Sequence, residues 1–234
     1  MTMTPGEAAE RRLADLACRC ILRLGHPRLP TDPLTMLRLS RGVFLYTVEE
    51  FREIAPEKAG ILDDVREDVP ALSFGDGDGR WTVVWRPELP GPRRRFSLAH
   101  ELGHIALRHH PDPRRRPRRE EGAANAFARF LVMPPPVVHR LLEEGLLAYL
   151  EQAALVFGVS LTTAEIALSR PQPLPEEPVA RSVEALLLED ARRRRPRGTS
   201  LRWHAVPGTG RGHHPRAADP HTGASGQVIT GRSG

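Results

Sequence analysis

The chain has 234 residues, 40% hydrophobic and 5% aromatic, which suits one domain with an aliphatic core, or one domain and a tail. Arginine and lysine outnumber aspartate and glutamate by 34 to 29, and Lys58 is the single lysine among them. No run approaches the roughly 18–20 apolar residues of a membrane span, and no apolar signal core follows the N-terminal Met-Thr-Met-Thr-Pro-Gly-Glu, so a soluble, cytoplasmic protein is expected.

The N-terminal elements follow from spacing and caps. Leu13, Leu16, Ala17, Cys20, Ile21 and Leu24 recur at helical spacing over 6–24, with Gly25 where a C′ glycine would sit. Cys18 and Cys20 on that helix point to different faces, so no disulfide is expected between them, in keeping with a reducing compartment. Asp32 is an N-cap with Pro33 in the first turn of a short helix reaching Leu39. Val43 to Val48 reads as a strand, and Val48 to Ile61 as a short helix and loop. Ala71–Phe74 and Arg80–Trp85 read as a β-hairpin around Gly75-Asp76-Gly77-Asp78-Gly79. The Asp-x-Asp pattern there is turn chemistry rather than a calcium loop, which needs more oxygen ligands and a distal glutamate.

A loop from Pro87 to Pro92 leads into Arg93-Arg94-Arg95-Phe96-Ser97-Leu98-Ala99-His100-Glu101-Leu102-Gly103-His104-Ile105-Ala106-Leu107. On a helix, at about 100° per residue, His100 and His104 lie one turn apart on one face, their side-chain roots about 6 Å from each other. Two imidazoles so placed converge on one metal ion. Glu101 projects a quarter-turn away, where a carboxylate reaches an attacking water without ligating the metal. Leu98, Leu102 and Ile105 fall opposite the histidines, so the helix is apolar almost all round and expected to be buried. Two buried histidines without a ligand or acceptor would be costly, which favours the metal reading over chance.

The helix is expected to end by Pro111. Asp112 to Arg119 carries five arginines and no apolar residue besides prolines, so a solvent loop is expected. A second helix follows through Glu120, Glu121, Gly122 and on to Val132, stopped by Pro134-Pro135-Pro136. Its small residues Ala123, Ala124, Ala126 and Ala128 permit close packing on another helix. A His-Glu-x-x-His site needs a third protein ligand. Glu121 is the candidate and Glu120 the competitor, against the plainer reading of first-turn acids favourable to the helix dipole. Asn125, one turn after Glu121, is placed to support an imidazole or Glu121 through a hydrogen bond.

Further helices are expected at 137–144, 146–157 and 161–169. The last two, joined through Gly158 and Ser160, have the pattern of a helix-turn-helix. The second of them has Thr162, Thr163 and Glu165 but no Arg, Asn or Gln for reading base edges, which favours packing or protein contact over DNA. After Pro171 a helix is expected at 181–195. Residues 196–234 lack periodicity and are expected to be disordered, with His204, His213, His214 and His221 as solvated tail residues. The arginine runs are read as solvated surface, with nucleic-acid or acidic-partner contact as the alternative.

Two blocks occurring in order, Arg95-Phe96-Ser97-Leu98-Ala99-His100-Glu101-Leu102-Gly103-His104 and Glu121-x-x-Ala124-Asn125-x-Phe127-Ala128-x-x-Leu131-x-Met133-Pro134, resemble the ImmA/IrrE family of metallopeptidases. A looser likeness covers about residues 5–170. The resemblance implies an α+β fold with a mainly helical zincin-like core and a small antiparallel sheet over 5–135. A helix-turn-helix-like segment at 136–170 packs on it, and 171–234 is a tail. It also implies Zn2+ held by His100, His104 and Glu121, with Glu101 as general base. The implied activity is that of a zinc endopeptidase acting on, or alongside, a small helix-turn-helix repressor of the Xre/Cro type. The chain departs from the family at Ala123, where many relatives carry a second acid, and in the arginine-rich loop at 113–119. No large C-terminal sensor domain is expected, which ties the chain to a mobile element or local operon more than to DNA-damage signalling. The rival readings are a non-catalytic zinc-containing regulator that binds a repressor or DNA, and a scaffold whose arginine runs bind nucleic acid. The possible oxyanion donors besides the metal are His109, His110 and Tyr149.

Overall fold

The computed structural model describes residues 3–24, 28–58, 60–63, 69–170 and 172–194. Gly25 and the segment 195–234, with its four histidines, lie outside the described residues. Among the described residues ten α-helices and three strands follow in the order α1 (Pro5–Leu24), α2 (Pro33–Leu39), β1 (Val43–Thr47), α3 (Val48–Ile54), α4 (Gly60–Asp63), β2 (Ala71–Gly75), β3 (Trp81–Trp85), α5 (Gly91–Ala106), α6 (Arg118–Val132), α7 (Pro135–Glu143), α8 (Leu150–Phe157), α9 (Leu161–Leu168) and α10 (Glu177–Arg194). The fold is α+β, mainly helical with a small sheet. Among the described residues no helix is long and apolar enough to cross a membrane.

Local chemistry sets the boundaries. Asp32 caps α2 by accepting from the amides of Leu34 and Thr35 at 3.1 and 3.3 Å, an interaction worth about 1 kcal/mol in a typical helix. The strand expected to run through Val48 stops at Thr47. Thr47 forms a capping box with Glu50, so Val48 begins α3 despite its β-branched side chain. The α5 helix begins earlier than expected, at Gly91, with Pro92 in its first turn. The Asp76 carboxylate accepts from the amides of Asp78 and Arg80 and pairs with the Arg80 guanidinium at 2.7 Å, which confines it to holding the hairpin turn.

The sheet is mixed rather than antiparallel. Strand order is β1-β3-β2, with β2 and β3 antiparallel and β1 parallel to β3. The hairpin was visible in its turn residues. A parallel neighbour arriving through α3 and α4 leaves no local signature. Side chains alternate across the sheet: Val83 and Ala71 join the main core under α5, while Val84, Leu72 and Phe74 join a small cluster with Val48, Phe51 and Leu62. The main core is centred on α6, whose Phe127, Phe130 and Leu131 are fully buried, and extends through α1, α5, α7, α8 and α9. The helix expected at 181–195 spans Glu177–Arg194 and closes the same core with Val183, Leu187 and Ala191, all fully buried. Both cysteines are free, and burial pushes the Cys18 and Cys20 thiols up to about 12 and about 11, so neither is a ready nucleophile.

Candidate metal and catalytic site

The α5 and α6 helices cross in close contact because Gly103 has no side chain. A Cβ there would lie 3.0 Å from Phe127 Cδ1 and 3.3 Å from the Ala124 backbone. That approach brings Glu121 of α6 to the histidines of α5. One ligand atom each from His100, His104 and Glu121 lie within 4.8 Å of one another. The two Nε2 atoms are 2.9 Å apart, and the Glu121 carboxylate is 3.2 Å from His100 and 3.5 Å from His104. Among the described residues this is the group of histidine, cysteine and acidic side chains able to hold a metal ion. Glu120 turns away and accepts from the His110 amide at 2.9 Å.

The far nitrogens of both imidazoles are engaged. Asn125 Oδ1 lies 3.1 Å from His100 Nδ1 and can only accept, so His100 carries a proton on Nδ1, which leaves Nε2, facing Glu121, as the nitrogen that would ligate a metal on giving up its own proton. His104 Nδ1 meets His109 Nδ1 at 2.9 Å. That contact depends on how α5 ends. Arg108 adopts a left-handed conformation (φ 54°), its amide donates to the Ile105 carbonyl, and the His109 amide donates to the His104 carbonyl at 3.0 Å. This is a Schellman turn with arginine in the place where glycine is usual. It folds His109 back behind His104, on the side away from the ligand cluster. His110 Nδ1 lies against Asp112, and Tyr149 sits at the N-cap of α8, so the structure brings none of these three to the ligand cluster.

Electrostatics sort the groups by role. Burial pushes the His104 pKa down to about 3, aided by Arg116 and His100, so its imidazole is neutral at physiological pH. Burial opposes charge on His100, but Glu121, Glu101 and Asn125 outweigh it and raise its pKa. Glu121 is held below the usual carboxylate range, chiefly by its hydrogen bond with His100. Glu101 is 4% exposed, and burial raises its pKa even though His100, Ser73 and Arg116 favour the charged form. Its Oε2 accepts from the Ser73 amide at 2.9 Å and from the Ser73 hydroxyl at 2.6 Å.

The solvent loop expected at 112–119 is solvated only in part. Arg116 turns inward, with 2% of its side chain exposed. Its guanidinium donates to the carbonyls of His110 and Ser73 at 3.0 and 2.6 Å, stacks 5.9 Å from the Trp81 ring, and lies 3.6 Å from Glu101. The reason is a set of acceptors: the buried Glu101 carboxylate and the carbonyls of Ser73 and His110 need a donor, and one arginine serves several at once. Neither Ser73 nor Arg116 was identifiable in the sequence. A serine within a strand and one arginine among five carry no local signal. A cavity of about 350 Å³ opens on this constellation, lined by Leu72, Phe96, His100, Glu101, Arg116 and Glu121 among others.

Residues 57–169 match the family model described as peptidase M78, IrrE N-terminal-like domain. No curated protein matches the chain.

Proposed function

Because residues 57–169 belong to the peptidase M78 family of IrrE N-terminal-like domains, we propose that the chain is a cytoplasmic zinc-dependent endopeptidase that cleaves or inactivates a small helix-turn-helix repressor of the Xre type. The observation that carries the reading is the convergence of His100, His104 and Glu121, with Glu101 buried beside them on the same helix. Two imidazole nitrogens and one carboxylate oxygen fit zinc, whose hydrolytic sites use three protein ligands and keep a fourth position open. When bound, zinc polarises the scissile carbonyl and lowers the pKa of water.

The chain's own residues supply the rest. Glu101 takes the proton from the attacking water and returns it to the leaving amine. Burial raises its pKa, which makes it a stronger base than an exposed carboxylate. Ser73 and Arg116 hold one oxygen of that carboxylate in place. Asn125 and His109 orient the two imidazoles and fix which nitrogen faces the cluster. A protein partner is favoured over DNA because α9 turns Leu161 and Ile166 outward, 52% and 44% exposed, and carries no base-reading arginine or amide. The choice of an Xre-type repressor rests on the likeness of the two sequence blocks to the ImmA/IrrE peptidases.

The test is incubation of the zinc-loaded chain with an Xre-type repressor encoded beside it, followed by mass spectrometry of the products. Glu101→Gln retains zinc and slows cleavage by about 10²–10⁴-fold, the usual contribution of a general base. His104→Ala loses both zinc and cleavage. Full-speed proteolysis by the Gln variant would sink the mechanism. Stoichiometric zinc with no cleavage of any co-encoded repressor would instead favour a non-catalytic regulator.

A further inference from the structure

Beside the ligand cluster lies a larger cavity of about 500 Å³ that the proposed chemistry does not use. It shares Phe96 and Asn125 with the cavity over Glu101, so the two adjoin across those side chains. Its walls come from α1 (Glu10), α5 (Phe96), α6 (Asn125, Arg129) and the α9 region (Ile166, Arg170).

Arg129 is the unusual member. It is 6% exposed, its Nε is buried without a hydrogen-bond partner, and its Nη2 reaches Glu10 only at 3.5 Å. The guanidinium carbon lies 4.6 Å from the centroid of the Phe130 ring, which fixes the plane of the head group. A purely structural arginine would have its donors satisfied, because an unpaired buried donor carries a desolvation penalty. Burial lowers the Arg129 pKa; Glu10 supports its charge and Arg170 opposes it. The cavity therefore holds two cationic side chains against one acid. That acid, Glu10, keeps 36% of its side chain exposed and is free to turn to solvent.

Glu121, Asn125 and Arg129 stand at four-residue spacing on α6 and form one polar stripe leading from the ligand cluster into the cavity. Eight residues of helix span about 12 Å. An extended peptide covers that distance in about three to four residues. We propose that this cavity is a specificity subsite for a carboxylate of the bound peptide, received by Arg129 and Arg170 about three residues from the scissile bond. The proposal rests on the peptidase reading and extends it to a substrate class: peptides with an aspartate or glutamate side chain, or a chain end, at that separation. Ile166 and Phe96 provide the apolar walls for the methylenes of such a side chain.

The experiment uses the zinc-loaded full chain and a library of short, randomised peptides blocked at both ends, with a second library bearing free C-termini. Cleavage sites are mapped by mass spectrometry. Retention of uncleaved peptides on the immobilised chain is measured in parallel. Acidic residues are expected to be favoured over their amides by about tenfold at one position near the cut, as for a charge-assisted hydrogen bond. Preference confined to the free C-terminal library assigns the site to a chain end, and preference in the blocked library to a side chain. Arg170→Glu, at an exposed position, is expected to abolish the preference, and Arg129→Gln to do the same if circular dichroism shows it folded. Cleavage with no acidic preference, or a preference that Arg170→Glu leaves intact, overturns the subsite and spares the peptidase reading. Retention of acidic peptides without cleavage, lost in Arg170→Glu, supports a carboxylate site in this cavity and leaves the peptidase reading to the repressor incubation. Neither cleavage nor retention overturns the subsite, and the repressor incubation then decides the peptidase reading separately.

Discussion

At Arg116 a guanidinium lies 3.6 Å from Glu101 and ties the edge strand to the end of α5 through the Ser73 and His110 carbonyls. The cation favours the charged form of Glu101, against the burial that raises its pKa. In the proposed mechanism Glu101 must be ionised to act as base, so activity is expected to fall on the acid side as pH drops through its pKa. Arg116→Gln removes the cation, raises that pKa further, and moves the acid limb of kcat/KM to higher pH. Arg116→Lys keeps the charge and is expected to return the limb towards its original position, while still losing the bonds to the Ser73 and His110 carbonyls. A pH profile unmoved by the Gln variant would show that Arg116 only packs.

The helix pair α5 and α6 is the element on which the site depends, and Gly103 sets its spacing. A methyl group at that position would press on Phe127 and on the Ala124 backbone, and the backbone has nowhere to go without moving α6. Gly103→Ala is therefore expected to destabilise the fold by about 1–3 kcal/mol, as overpacked cores do. It should also weaken zinc retention, because the same displacement draws Glu121 away from His100 and His104. Urea unfolding and a competition titration with a chelator measure the two effects separately. Unchanged zinc affinity in a destabilised variant would mean that the carboxylate follows the histidines. A second glycine has an equally specific task. Gly158 ends α8 at a φ of 61°, and a Cβ there would stand 2.4 Å from Pro30. Its carbonyl accepts from the Arg95 guanidinium, which pins the turn between α8 and α9 to the start of α5.

On the scale of the whole molecule, charge and tail are both used differently from what composition alone suggests. Arg95 and Arg116 are half or wholly buried and bond to carbonyls of Gly158, Ser73 and His110, so part of the basic excess is internal fastening. The α10 helix, beyond the family match at 57–169, lies against α7 and α1 and shares their core. Its Leu187 is fully buried. Leu187→Ala is expected to cost about 2–5 kcal/mol, in the range of buried leucines. The loss should shift a single cooperative denaturation curve rather than create an early phase. An early phase would mark α10 as a separately melting appendage.

The sequence by itself determined what short-range chemistry controls. The period of α5 and α6, the Asp32 cap, the hairpin turn and the one-turn spacing of His100 and His104 are local properties, written in neighbours a few residues apart. It also left Glu120 and Glu121 side by side as rivals, since both acids occupy the first turn of one helix. Only the tertiary structure, through the contact at Gly103, turns Glu121 to the histidines and Glu120 to the His110 amide. The parallel pairing of β1, the inward turn of Arg116, the support of His104 by His109 and the cavity around Arg129 were decided at the same level. Each joins groups whose encounter depends on how whole elements pack, and packing is a property of surfaces that meet across the fold rather than of residues adjacent in the chain.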